Sequence, residues 1–289
     1  MNPTAPIRHI SDTALWVAVY RGQESQRTDA VFRDPYASKL AGERGVQIAG
    51  AMPFARRHSW SYVARTWLID RVIERSVQQG TDMVINLAAG LDSRPYRMRL
   101  PTSLRWIEID LPDMLNYKNE VLAAERPVCA LDRVPLDLRD TAARGVLFQR
   151  LGAEARRVLI VSEGLIIYFD AEDVAELARD LAAPTTFRLW VTDLASPALL
   201  RMLQKAIGGP LVEAGSPLKF APREGPEFFA RYGWKPVETC SLLQTAAKLK
   251  RLSLGMRLLS LLPDPGGRKP DKPWGGVCLL ENCGAMQSA

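Results

Sequence analysis

Short apolar runs alternate with helical segments from residue 83 onward, which predicts an α/β protein with a mostly parallel sheet covered by helices on both faces. Seven runs read as strands: "MVINLA" (83–88), "RWIEID" (105–110), "VCALD" (128–132), "RVLIVSEG" (157–164), "FRLWVTD" (187–193), "WKPVETCS" (234–241) and "VCLLEN" (277–282). Residues 1–58 hold no comparable run. They are expected to form an N-terminal cap, helical or irregular, outside the sheet.

The elements follow in order. The cap contains "TALWVAVYRGQESQRTDAVFRDPYASKLAG", broken at Asp34-Pro35. A helix is expected over 59–79, with Val63, Trp67, Ile69, Ile73 and Val77 near helical spacing and Gly80 as its stop. Pro112 suits a first helical turn and opens a helix over 112–125. Further helical segments are expected over 171–182 and 242–262, and the Pro/Gly-rich stretch 263–276 reads as a surface loop. The last two strands fit an antiparallel finish. The chain therefore reads as one domain over 1–289, with a cap (1–58), a core (59–289) and a variable region near 195–225.

A chain of 289 residues that is 47% hydrophobic and 24% charged can bury a sizeable core. The net charge of +6 reads as spread over a solvated surface, with only short clusters such as 248–251. No basic run alternates with stacking aromatics, so no nucleic-acid partner is expected. The four cysteines (Cys129, Cys240, Cys278, Cys283) form no CxxC pair, and His9 and His58 are the only histidines. That set suits free thiols in a reducing cytoplasm and offers no metal site. The first thirty residues hold no long apolar core, and no apolar run is long enough to span a bilayer. Neither a signal peptide nor a membrane partner is expected.

The chemistry starts at "VINLAAGLDSRPYR" (84–97), where a buried strand ends in the small residues Ala88, Ala89 and Gly90. In an open α/β sheet, ligands bind in the crevice beyond such strand ends. A dinucleotide site would carry GxGxxG, and the missing glycine argues against NAD. Asp110 closes the next strand about twenty residues on, where a carboxylate accepts from ribose hydroxyls; it reads alternatively as a cap for the helix that follows. A nucleoside site without a diphosphate cradle suits S-adenosylmethionine. Asp137 and Leu138 in "VPLDLRD" fit an adenine amine and ring face, or a solvated loop. Glu163 ends the fourth strand, where it can meet an ammonium or serve as an ion-pair or cap acid.

Taken together, the chain resembles the leucine carboxyl methyltransferase family, in its bacterial branch that includes polyketide O-methyltransferases. The matching segments are "TALWVAVYR…DAVFRDPYASKLAG", "YVARTWLID", "VINLAAGLDSRPYRMRLP", "RWIEIDLPDMLNYK", "LDLRD" and "SEGLIIYF", spanning about residues 12–170, with "EFFARYGWKPVE" beyond them. The resemblance implies a Rossmann-like class I methyltransferase with an N-terminal helical lid and S-adenosylmethionine as cofactor. By motif position, Arg65 would contact the methionine carboxylate or the acceptor, Gly90 the methionine end, and Asp110 the ribose. Asp137 and Leu138 would frame the adenine, Glu163 would line the amino-acid end, and Tyr168 would face the acceptor. On the residues alone, Arg65 can instead pair with Asp70 or Glu74, and Tyr168 can be a core aromatic. Arg94 and Arg97 read as helix-surface or packing residues, Trp106 and Trp190 as core, and both histidines as surface.

Such an enzyme needs no base for a carboxylate acceptor, whereas a phenol, with a pKa of about 10, benefits from one. No base stands out, which favours a small-molecule carboxylate or acidic hydroxyl, such as a polyketide or another secondary metabolite. Its pocket is expected between the lid and 195–225. The alternatives are a non-catalytic S-adenosylmethionine-binding protein and an NAD-dependent enzyme. A nucleic-acid methyltransferase is opposed by the absence of an Asn/Asp-Pro-Pro-Tyr-like turn after the fourth strand.

Overall fold

A computed structural model describes residues 12–284; His9 and the start of the expected cap lie outside the described residues. The strands are β1 (Met83–Leu87), β2 (Arg105–Asp110), β3 (Ala130–Pro135), β4 (Val158–Ser162), β5 (Phe187–Ala195), β6 (Trp234–Ser241) and β7 (Gly275–Asn282). They form one seven-stranded sheet in the order β3-β2-β1-β4-β5-β7-β6. β1 through β5 pair in parallel, and β7 runs antiparallel to β5 and β6. Every residue of β1 and β4 is buried. That is why these strands are continuous apolar runs, as strands covered on both faces must be. β6 is an edge, and Pro236 and a register shift interrupt it there, where a missing N–H costs little.

The cap consists of α1 (Asp12–Ser25), α2 (Ala37–Ala51) and α3 (Pro53–Arg57), leading into α4 (Ser59–Gln78). Gly80, at φ +91°, ends the turn after α4 as its position suggests. The remaining helices are α5 (Arg94–Arg97), α6 (Pro112–Val121), α7 (Thr141–Ala153), α8 (Ala171–Ala182), α9 (Pro197–Glu213), α10 (Leu242–Lys248) and α11 (Leu254–Leu259).

Three of these elements differ from expectation, and α7 adds a helix. The third strand runs from Ala130 to Pro135, two residues later than its apolar content suggests, because it is a half-exposed edge. The helix expected over 112–125 stops at Val121. The stretch 242–262 is two helices, because Lys250 takes φ +59° between them. α7 carries no apolar stripe as regular as that of α4. Its start is marked instead by Asp140, whose carboxylate accepts from the Ala143 N–H at 3.0 Å. Trp106 and Trp190 are fully buried, as expected. One apolar cluster packs on each sheet face, and a third, built around Trp16, Leu40, Ile48 and Leu211, joins the cap and α9 to the core.

Candidate functional site

The strand order reverses between β1 and β4, which opens a crevice beyond their carboxyl ends. Leu87 lies level with Ile109 of β2 and Ser162 of β4, and Ser162 lies level with Thr192 of β5. Beyond this level β1 and β4 leave the sheet, while Asp110 of β2 and Asp193 of β5 stand at the same height within their strands. They open into a cavity of about 1200 Å³ whose lining includes Arg65, Gly90, Asp110, Asp137, Leu138, Glu163 and Tyr168. The fold thus brings together all seven residues singled out in the sequence.

The loop after β1 is tightly held. Ala88 and Gly90 take φ of 48° and 46°. For Ala88 the left-handed region costs about 1–2 kcal/mol. The fixing contacts are hydrogen bonds: Ala89 N–H donates to the Ile109 carbonyl at 3.2 Å, and Gly90 N–H donates to Asp110 Oδ2 at 2.6 Å. The other Asp110 oxygen accepts from Leu111 N–H at 2.7 Å. Asp110 is thus the hook for the loop and does not cap α6, whose N-cap is Leu111. Burial raises the Asp110 carboxyl above its ordinary value, against the pull of the two amides. The need for small residues also has a tertiary cause, since a Cβ on Gly90 would stand 3.3 Å from the Ala14 methyl of α1.

The floor of the cavity is a continuous chain of ion pairs. Arg21 pairs with Asp34, and Arg97 with Asp34 and Asp70. Arg94 joins Asp70, Asp92 and Glu163, and Arg65 joins Glu163 and Asp193. Arg65 reaches across the strand ends, with Nε 3.0 Å from Glu163 Oε1 and Nη1 3.0 Å from Asp193 Oδ2, and leaves Asp70 to Arg94 and Arg97. Arg94 and Arg97 are not helix-surface residues; their side chains are only 2% and 5% exposed. Burial alone would raise Glu163, but Arg94 and Arg65 outweigh it and hold the carboxyl below its usual range; Arg94 and Lys118 do the same for Asp92. Gly164 N–H donates to Asp193 Oδ1 at 2.6 Å, and a Cβ there would meet the Arg65 guanidinium at 3.3 Å. The four arginines meet five carboxylates, of which Asp92, Glu163 and Asp193 line the cavity while Asp34 and Asp70 lie behind its lining.

Asp137 lies on the loop after β3 and is clasped by Arg139 at 2.6 Å, which lowers its carboxyl below the ordinary value. Leu138 is buried against the core, and its carbonyl accepts from Arg144 at 2.7 Å. Tyr168 sits in a 3-10 turn (Ile166–Tyr168), bonded to the Thr13 side chain of the cap, and burial raises its hydroxyl. His58 was expected at the surface. It is half-buried and lines the cavity, stacked on Phe54 at 4.1 Å, with Nδ1 2.9 Å from the Phe54 carbonyl. With a carbonyl as partner, Nδ1 of the neutral ring is the donor and Nε2 is left as the acceptor. His58, Tyr62 and Arg65 recur at helical spacing on one face, a pattern that could have pointed to His58. Asp193 and Asp92 were also missed; Asp193 lies within β5, in "VTD", and Asp92 on the loop after β1, in "GLD". Above the floor the walls are apolar, from α1 (Trp16, Val17), α9 (Met202, Leu203) and α11 (Met256, Leu259).

Solved structures share this architecture. A provisionally assigned methyltransferase of Thermobifida fusca superposes with a TM-score of 0.61 at 14% identity, over 96% of both chains. A DUF574 family protein of Streptomyces avermitilis gives 0.57 at 14% identity, over 92% of this chain and 96% of that one. The fold is the Rossmann-like class I methyltransferase fold. The family model for leucine carboxyl methyltransferases matches residues 14–182, more than half of the sequence, and the chain belongs to that family. Among its relatives is a Frankia alni protein, 34% identical over 74% of this chain and 81% of its own length. A second Frankia alni protein is 36% identical over 59% of this chain, and a Streptomyces coelicolor protein is 37% identical over 57%. The matches span 63% and 61% of those two relatives, less than two thirds of their length. All three are named provisionally as S-adenosyl-L-methionine-dependent methyltransferases.

Proposed function

We propose that this chain binds S-adenosylmethionine and transfers its methyl group to an oxygen of a small apolar molecule. The observation that carries the reading is the bare loop 88–90, hooked to Asp110 beside the carboxylates of Glu163 and Asp193. Those carboxylates suit a cationic sulfonium and ammonium, and the loop lacks the glycines of a diphosphate cradle, which weighs against NAD. The names of the relatives support the same cofactor.

When bound, the cofactor supplies an activated methyl group and its own leaving group. The protein contributes position and charge. Asp110, with lone pairs left after its two amide bonds, would accept from the ribose hydroxyls. Asp137 would take the adenine amine once turned from Arg139, beside the Leu138 backbone. Glu163 and Asp193 would face the amino-acid end, and Arg65, held in a forked grip by both, would orient its carboxylate or that of the acceptor. Tyr168 and the apolar upper walls would hold the acceptor. A carboxylate arrives ionised; a hydroxyl would lose its proton to His58 Nε2.

Calorimetry with S-adenosylhomocysteine and, separately, NADH tests the reading. Binding of the first alone is expected; binding of NADH alone, or of neither, overturns it. Incubation with methyl-labelled cofactor and small-molecule extract is expected to label product, whereas cofactor binding without label would identify a non-catalytic binder.

A further inference from the structure

The positive charge extends well beyond the short cluster at 248–251. Residues 248–272 hold seven lysines and arginines against two aspartates, a surplus of five within the chain's surplus of six. The same segment carries the largest group of exposed leucines. Leu254, Leu258, Leu259, Leu261 and Leu262 are 80%, 69%, 52%, 79% and 63% exposed, and α11 buries no residue at all. Isolated exposed apolar residues are ordinary, but five within nine positions are a dense local group of the kind that marks an interaction surface. Some of the cations are taken up within the fold, since Arg251 is held by Glu24 and Asp29, and Arg268 by Glu227. Lys250, Arg257, Lys269 and Lys272 are exposed and make no ion pair among the described residues.

We propose that this rim, α11 with the turn after it, seats the protein peripherally on an anionic lipid bilayer. Leucines flanked by unpaired cations are the composition of an interfacial segment: the apolar side chains enter the acyl boundary while lysine and arginine meet the headgroups. No described helix is long and apolar enough to cross a membrane. A second copy of the chain fits less well, because an isologous contact through the leucines would bring the two cationic fringes together. The rim has two sides. Met256, Leu259 and Leu262 line the mouth of the cavity, whereas Leu254, Leu258 and Leu261 do not. Docking through the outer three therefore holds the cavity mouth at the lipid surface, where an apolar molecule can pass between the two.

The inference stands apart from the cofactor reading, and its test uses no methyl acceptor. The full chain is sedimented with vesicles of equal parts phosphatidylcholine and phosphatidylglycerol, and with phosphatidylcholine alone. Co-sedimentation with the anionic vesicles is expected, weakening as salt shortens the screening length. The double variant Leu258→Asp, Leu261→Asp is expected to lower partitioning by at least about tenfold, with an unchanged thermal midpoint because both side chains are exposed. A wild type that stays in the supernatant overturns the proposal, as does a variant that partitions equally. Light scattering that finds a wild-type dimer, lost in the variant and indifferent to vesicles, also overturns it and assigns the patch to a second copy.

Discussion

Replacing Asp110 with asparagine separates the two tasks given to this carboxylate. In the fold it accepts from Gly90 N–H at 2.6 Å and from Leu111 N–H at 2.7 Å. Asparagine keeps one oxygen for one of these amides and leaves the other facing an NH₂ group. The lost bond costs about 1 kcal/mol. An opposing gain comes from removing a buried charge. The Asp110 carboxyl is raised in the folded state, so the native protein holds this proton more tightly than the unfolded chain. Its ionisation thus lowers stability as pH rises from the ordinary carboxylate value through the folded one, and asparagine escapes that loss. The net change in stability at neutral pH is expected within about 1 kcal/mol. Cofactor affinity should respond quite differently. Hydrogen bonds to a charged acceptor are worth about 1.5–3 kcal/mol each. With two ribose hydroxyls and one acceptor oxygen retained, the loss is about 2–4 kcal/mol, or about 30- to 1000-fold in Kd. Calorimetry with S-adenosylhomocysteine and urea denaturation on the same preparation measure both quantities. Affinity within about threefold of wild type, with the fold intact, would refute the assignment of Asp110 to the ribose.

Other perturbations follow from the same geometry. Gly90→Ala forces a side chain into φ 46° and against Ala14, so it should lose about 1–2 kcal/mol of stability and bind S-adenosylhomocysteine more weakly; an unchanged thermal midpoint would show that the loop gives way freely. Arg94→Ala leaves Asp92 without an ion pair, and Asp70 and Glu163 with one arginine each, and should cost about 3–5 kcal/mol in urea denaturation. Asp92 and Glu163 have depressed carboxyl values, so their contribution is fully present above the ordinary carboxylate range and is lost as pH falls through their folded values. The urea midpoint should therefore hold from neutral pH to about 5 and decline below about 4, and Asp92→Asn should lessen that decline. Burial pushes the Cys129 thiol to about 11 and Cys278 higher still. Both should resist iodoacetamide in the native protein at neutral pH and react once it is unfolded, as peptide mapping by mass spectrometry would show.

The elements that could be read in advance were those with a strong local signal. β2 and β6 and the helix Ala171–Ala182 have the boundaries that their patterns suggest. α7 carries no such signal, because its alternation of small, polar and apolar residues gives no clean stripe, and the 242–262 stretch reads as continuous because a left-handed lysine leaves no mark in composition. The cavity residues Gly90, Asp110 and Glu163 were legible because each follows an apolar strand at the place where an open α/β sheet binds ligands. His58 was not, because a histidine that follows two arginines looks solvated until the packing of α3 against α4 turns it inward.

The sequence by itself determined the strands, their mostly parallel arrangement and the positions of the acids that end them, since all of these rest on periodicity and on residues a few positions apart. Only the tertiary structure decided which arginine serves which carboxylate. Arg65 meets Asp193 across 128 residues and Arg94 meets Asp70 across 24, and no local pattern encodes partners at such separations. It also decided that the loose positive charge and the exposed leucines share one rim of the cavity, because exposure belongs to the assembled surface and not to the chain.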